Sequence, residues 1–188
     1  MHNIIALNGY ANSGKDFLCQ KIIEKDPSFN RYALADYLKE LMSIILNKPI
    51  DEIDKWKNES VENRQRLIDF SEKGVKQVDR EFWVKKFYMD FKKQPKNYII
   101  TDIRYYDEYH YLIKKFAWGH ENTKLKFVYV ENQFQDVYTK CGNEIKSKDC
   151  SFIYKNYKDD DIKHTQQTDE LLNFIYESTS KISSKEQG

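Results

Sequence analysis

"NIIALNGYANSGKDFLCQKI", running from Asn3 to Ile22, decides how the rest of the chain is read. Ile4 to Leu7 is a short apolar run of the kind buried on both faces of a parallel sheet. Asn8 to Lys15 is rich in turn formers. From Gly14 to Lys25 the apolar residues Phe17, Leu18, Ile22 and Ile23 recur at helical spacing, and Asp26-Pro27 ends that helix. A strand and a helix therefore enclose Gly9-Tyr-Ala-Asn-Ser-Gly14-Lys15, which fits G-x-x-x-x-G-K. The spacing has a mechanism. Gly9 and Gly14 permit backbone angles that turn successive amide N–H groups, through Asn12 and Ser13, into a concave nest. The helix N-terminus adds partial positive charge, and Lys15 reaches for terminal phosphates. Asp16 stands where a Ser or Thr hydroxyl usually follows the lysine. Its carboxylate is a hard oxygen ligand able to hold Mg²⁺ directly or through water. It also brings negative charge beside phosphates, which is unfavourable unless a cation intervenes. Equally, an aspartate in a first helical turn is favoured by the dipole alone. Ser13 offers a hydroxyl, but its position suits backbone shaping better.

Short strand candidates follow at Arg31–Leu34, Tyr98–Thr101 and Leu125–Val130, with a last one around Ile162. Between them lie helical patterns. Ala35–Leu46 carries Leu38, Leu41, Met42, Ile45 and Leu46 on its expected inner side, and Pro49 breaks it. Ile50–Trp56, Val61–Lys73 and Arg80–Phe91 read as helices without an intervening strand, with Gly74 as a C-cap. Tyr105–Phe116 and Asp169–Tyr176 complete the set. Strands alternating with helices predict a parallel sheet covered on both faces, with ligands at the carboxyl ends of the strands. Asn8, Asp102 and Glu131 are then expected along one edge. The expected organisation is a single domain over 1–177, with core segments 1–46, 94–131 and 160–177. A helical region, 50–93, a polar excursion, 132–160, and a polar tail, 178–188, complete it.

The 188 residues suit one domain. Thirty-one basic against 30 acidic residues leave a net charge of +1, so no global field argues for nucleic-acid wrapping or an anionic membrane surface. No run of eighteen apolar residues occurs and the N-terminus does not read as a signal peptide. Cys19, Cys141 and Cys150 make an odd count without C-x-x-C, which argues against a disulfide framework and for a reducing, cytoplasmic setting. Cys141, Cys150 and His164 lack the spacing of a zinc finger or ribbon. Arginine is scarce (Arg31, Arg64, Arg66, Arg80 and Arg104), which makes each one worth testing for a role.

Three further stretches carry candidate chemistry. In "TDIRYYDEYHYL" Asp102 ends a buried strand, where a carboxylate can hold a metal-bound water or pair with Lys15. Arg104 could clamp a phosphate through two parallel hydrogen bonds, with Glu108 one helical turn on to orient it. The plainer reading is a capped helix start with a surface ion pair. In "YALADYLKELM" Asp36 and Lys39 share a helix face, as a local ion pair or as ligand contacts. In "NRQRLIDFSEKGVKQVDREFW" Arg64 and Arg66 do not share a face, so only one of them is expected to reach a ligand.

Taken together, GYANSGKD at 9–16, ADYLK at 35–39, RLIDFSEKGVK at 66–76 with Phe82-Trp83, and TDIRYYDE at 101–108 resemble the bacteriophage-type deoxynucleoside monophosphate kinases of the P-loop kinase superfamily. The resemblance covers about Ile4 to Glu131, with a vaguer match near "DIKHTQQTDELL". It implies a three-layer P-loop kinase fold, a parallel sheet flanked by helices, with a helical monophosphate-binding insertion and a lid at 132–160. It further implies transfer of the ATP γ-phosphoryl group to a deoxynucleoside 5′-monophosphate, with ATP and Mg²⁺ as cofactors. Gly9, Asn12, Ser13, Gly14, Lys15 and Asp16 would bind ATP. Asp36, Lys39, Arg66, Lys76, Arg104 and Glu108 would bind the acceptor, with Lys15, Asp102 and Arg104 catalytic. Asp16 and Asp102 would serve the metal. The family also implies a homodimer and a cytoplasmic enzyme, in the host cytoplasm if viral, with no nucleic-acid or membrane partner. Gly-Lys-Asp is familiar in this family, but a Thr or Ser often follows where this chain has Phe17. The lid candidate contains no arginine, so Lys140, Lys146 and Lys148 are the cations it could offer. Two other readings stand beside this one: a kinase of another small phosphorylated metabolite, and a nucleotide-binding module without catalysis. Trp56, Phe70, Phe82 and Trp83, in the helical region, could stack a base, although such aromatics are more often core.

Overall fold

Five parallel strands form one sheet in the order β2-β3-β1-β4-β5 in the computed structural model, which describes residues 1–117, 122–132, 145–157 and 160–176. β1 (His2–Asn8) lies at the centre, pairing with β3 (Asn97–Ile100) on one side and β4 (Thr123–Asn132) on the other. β2 (Phe29–Tyr32) and β5 (Phe152–Asn156) are the edges. The central position explains why Ile4 to Leu7 is apolar without alternation, since these residues are buried on both faces.

The pleat divides the core in two. Ile4, Ala6, Ile100 and Phe127 face α2 (Leu34–Leu46), α3 (Ile50–Glu59), α4 (Val61–Asp69), α6 (Phe82–Lys93) and α7 (Tyr106–Leu112), with the short α5 (Lys76–Val78) between α4 and α6. Ile5, Leu7, Ile99, Val128 and Val130 face α1 (Lys15–Lys25) and α8 (Asp161–Tyr176), through Leu18, Ile22, Leu171 and Ile175. The expected α/β architecture, a parallel sheet flanked by helices, is therefore present. Because every strand is parallel, Asn8, Tyr32, Ile100, Asn132 and Asn156 all end at one edge.

Three expectations need correction. The last strand is not at Ile162, which lies on α8 and is 74% exposed. It is Phe152–Asn156, inside the stretch expected to be a lid, where Tyr154 is fully buried and Ile153 and Lys155 point outward. An edge strand needs only one buried residue per pleat, so its composition looks polar. Its free backbone is covered instead: Lys155 N–H donates to Gln167 Oε1 and the Gln167 amide donates back to Lys155 O, both at 2.9 Å. Gly74 is not a left-handed C-cap. The chain passes it in a wide helical turn over Phe70–Val75 and continues into α5, and among the described residues the glycines with positive φ are Gly9 and Gly14. Ile45, assigned to the inner side of α2, is 58% exposed, while Leu34 is buried in its place. Of the lid candidate, 133–144 and 158–159 lie outside the described residues, as does the tail.

Candidate functional site

Gly9 and Gly14 adopt φ of 143° and 98°, and Asn12 adopts 60°. Space is short at both glycines as well, against backbone at Gly9 and against a side-chain amide at Gly14. A Cβ on Gly9 would lie 2.4 Å from Val130 O, and one on Gly14 would lie 2.2 Å from Asn156 Nδ2. The loop is thus pressed onto the ends of β4 and β5. Two asparagines hold it there: Asn156 Nδ2 donates to Ser13 O at 3.0 Å and Asn132 Nδ2 donates to Asn12 O at 3.3 Å. Asn8, at the end of β1, donates to Ile103 O at 2.7 Å and ties the loop's start to the segment after β3. Neither Asn132 nor Asn156 was singled out by sequence. Both stand at strand ends in polar segments, where only the tertiary neighbour gives them meaning.

The Lys15 ammonium folds into the loop's curve, donating to Gly9 O at 2.9 Å, Tyr10 O at 2.7 Å and Ser13 Oγ at 3.4 Å. Ser13 is buried and its hydroxyl is occupied by shaping the loop. α1 begins at Lys15 with glycine as its N-cap, and among the described residues no side chain accepts from the Asp16 or Phe17 amide. A glycine-shaped loop, a helix N-terminus and an ammonium group stand together here, and these are the parts from which polyphosphate sites are built. Phe17 packs its ring edge against His164 of α8, centroids 4.8 Å apart. His164 is fixed through both nitrogens, to Tyr154 Oη at 2.8 Å and Tyr157 O at 2.6 Å. A carbonyl only accepts, so Nε2 carries a proton. Both ring nitrogens therefore have protein partners, and the position after Asp16 locks α1 to α8 by packing.

Asp102 has a different occupation from the one expected. Its two carboxylate oxygens accept the Leu34 and Ala35 amides at 2.7 and 2.8 Å, capping α2, whose own N-cap, Ala33, has no side-chain acceptor. Burial pushes its carboxyl above the usual range, opposed by those two amides and by Arg104. Glu108 likewise accepts the backbone N–H groups of Arg104 and Tyr105, at 3.0 and 3.1 Å. It caps α7 and meets the Arg104 backbone, and it lies 3.4 Å from Lys76. Burial raises its carboxyl too, with Lys76 the chief opposing charge. Lys76 is confined: it pairs with Glu72 at 3.2 Å and sits 3.6 Å above the Tyr105 ring, its side chain 11% exposed. The Arg104 side chain is exposed, as is that of Arg66 on α4.

Asp36 and Lys39 form the local pair read from their spacing, at 3.6 Å. They belong to a longer alternation of charge. Asp16 lies 3.8 Å from Arg31, Arg31 2.7 Å from Asp36, Lys39 2.9 Å from Asp54, and Asp54 2.7 Å from Lys57. Of the metal candidates, Asp16 is open, its side chain 83% exposed, whereas both oxygens of Asp102 already accept amides. No group of three or more His, Cys, Asp or Glu is gathered as a metal cage among the described residues. Mg²⁺ bound with a nucleotide does not need one, since one or two carboxylates, phosphate oxygens and waters complete its shell. Asp16 fits that role.

Burial pushes the Cys19 thiol up to about 11 and the Cys150 thiol up to about 12, which removes both as nucleophiles at neutral pH. Cys141 and Lys140 lie outside the described residues. Lys146 and Lys148 are exposed beside a turn of Ser147–Asp149 that is moored to α7 by Tyr106 and Tyr109, through Asp149. Among the described residues no helix is long and apolar enough to cross a membrane.

A scan against protein-family models finds none that matches this chain, and comparison with curated proteins finds no match either.

Proposed function

We propose that the protein transfers the γ-phosphoryl group of ATP to a deoxynucleoside 5′-monophosphate, within a P-loop kinase fold. One observation carries the reading: a G-x-x-x-x-G-K loop with both glycines at positive φ and its lysine turned inward, at the carboxyl end of the central strand of a parallel sheet. The sequence likeness at 35–39, 66–76 and 101–108 supplies the acceptor.

Gly9, Asn12, Ser13 and Gly14 present backbone to the β- and γ-phosphates, and Lys15 exchanges its loop carbonyls for phosphate oxygens. Mg²⁺, held by Asp16 and the phosphates, would neutralise charge on the transferring group. An oxygen of the acceptor phosphate forms the new P–O bond while the bond from γ-phosphorus to the β–γ bridging oxygen breaks, leaving ADP. Such a transfer needs alignment and charge neutralisation more than a covalent catalyst. Asp102 contributes by ordering the first turn of α2, which carries Asp36 and, one turn on, Lys39. Arg66, Lys76, Arg104 and Glu108 are the further acceptor-side candidates. Lys76 is already paired with Glu72 and Glu108, so an incoming anion has to compete for it.

A second reading, an acceptor lacking a base, is favoured by the aromatics. Trp56 and Trp83 are buried and the Trp83 indole N–H donates to Ser71 Oγ at 3.0 Å, so neither is open for stacking. Phe70 and Phe82 pack against the same core. ADP release with Mg²⁺·ATP, measured across deoxynucleoside and nucleoside monophosphates and small phosphorylated metabolites, tests both readings. Turnover with one or more deoxynucleoside monophosphates is expected. Turnover confined to base-free acceptors selects the second reading, and ATP binding without turnover on any acceptor leaves a binding module.

A further inference from the structure

A carboxylate directly after the phosphate-loop lysine repels the ligand that the loop is shaped to hold, so something nearby has to offset it. Arg31, at the end of edge strand β2, is placed to do so. Its Nη1 donates to Asp36 Oδ2 at 2.7 Å and its Nε lies 3.8 Å from Asp16 Oδ1. The two contacts differ in kind. The first is a charge-assisted hydrogen bond that anchors the guanidinium to the first turn of α2. The second is longer than a hydrogen bond, so it offsets the negative potential around Asp16 and leaves both carboxylate oxygens able to take a metal. Asp36 is in turn backed by Lys39, itself held by Asp54 at 2.9 Å, so the arginine is fixed on its far side. The other arginines stand elsewhere: Arg64 and Arg66 are exposed on α4, Arg80 lies 3.8 Å from Asp107, and the exposed Arg104 follows β3.

Resting on the phosphate-loop reading above, we propose that Arg31 is a positioning residue for that site, a resident counter-cation that offsets Asp16 and holds it beside the N-terminus of α2. Its effect on the ligand then runs through Asp16. It is largest when no metal neutralises that carboxylate and is screened by salt, because the pair is solvent-facing.

Calorimetric titration of ADP into the full chain, at low ionic strength, with EDTA and separately with Mg²⁺, tests this on wild type, Arg31→Gln, Asp16→Asn and the double variant. Melting temperatures are recorded for all four. In EDTA, Arg31→Gln is expected to weaken ADP binding about 3- to 10-fold. The same change in the Asp16→Asn background is expected to cost less than about 2-fold, and Mg²⁺ to shrink the single variant's loss. An equal loss in both backgrounds, or one unchanged by Mg²⁺ and accompanied by a lower melting temperature, overturns the proposal and leaves Arg31 a structural tie. A wild-type protein that binds no ADP under either condition overturns the nucleotide reading itself, and this inference with it.

Discussion

Two helices begin at the same edge of the sheet, and their N-termini have opposite fates. α1 and α2 each follow a strand, and neither has a capping side chain of its own, since Gly14 and Ala33 occupy the N-cap positions. At α2 the first amides are taken by Asp102, a residue 68 positions away in sequence. At α1 the acid of the first turn, Asp16, points to solvent and the Asp16 and Phe17 amides meet no described side chain. A helix N-terminus is a place where backbone donors need an acceptor. Whether the fold supplies that acceptor or leaves it to a ligand separates a structural end from a binding end. Two aspartates near the ends of parallel strands thus have different work, and residue type does not distinguish them.

The contrast can be broken most directly at Lys15. Lys15→Ala is expected to lower kcat/KM for phosphoryl transfer by at least about 100-fold, with little change in melting temperature. Steady-state assay beside thermal unfolding checks it, and an unaffected rate would remove the α1 end from the chemistry. Next comes Gly14→Ala, which must relieve a 2.2 Å approach to Asn156 Nδ2 at a φ that alanine resists. A loss of about 10-fold or more in ADP affinity is expected, with about 1–3 kcal/mol of stability. Asn156→Ala in the same background should recover part of that loss, because it removes the obstructing group. No recovery at all would mean that backbone strain alone is responsible.

At the other helix end the expectation is reversed. Asp102→Ala should destabilise the fold by about 1–2 kcal/mol in denaturant titration, through two orphaned amides. Its rate should fall by less than that of Lys15→Ala. If turnover vanishes while stability holds, Asp102 acts on the reaction and the contrast fails. The smallest effect belongs to Asp54, whose carboxyl is held below its ordinary range, first by Lys57 and then by Lys39. A depressed folded pKa contributes stability that is present above the unfolded value, about 3.9, and lost as pH falls through the folded value. The carboxylate is half exposed, so Asp54→Asn should cost no more than about 0.5 kcal/mol at pH 7. The difference from wild type should begin to shrink below about pH 4 and vanish once the pH lies below the folded value. A gap that does not shrink at all as the pH falls below about 4 would point to a packing role.

Much of the frame was legible in the chain. The β1–loop–α1 unit, β3, β4 and α2 are local patterns, an apolar run or a 3.6-residue period bounded by glycine, proline or a cap. The β5 edge was not legible, because a strand with one buried face and a covered edge has the composition of a loop. Nor was the wide turn through Gly74, since a glycine signals a helix end only when φ is positive. At the site, Gly9, Gly14 and Lys15 were readable because their spacing alone dictates a nest. Asn156, Asn132 and Arg31 were not, because their meaning lies in what stands opposite them.

The sequence by itself determined that a strand, a glycine-bounded loop and a helix follow one another at the N-terminus. It also determined that an acid follows the lysine, because these are consequences of neighbours in the chain. Tertiary structure decided which acids stay open. Asp102 is drawn onto the unsatisfied amides of α2, which packs beside it, and Glu108 turns back onto the amides that lead into its own helix, whereas Asp16 faces outward with, among the described residues, a guanidinium 3.8 Å away to temper it. Hydrogen-bond satisfaction of buried backbone is a property of the packed molecule, and the chain alone does not show which donors will be left over.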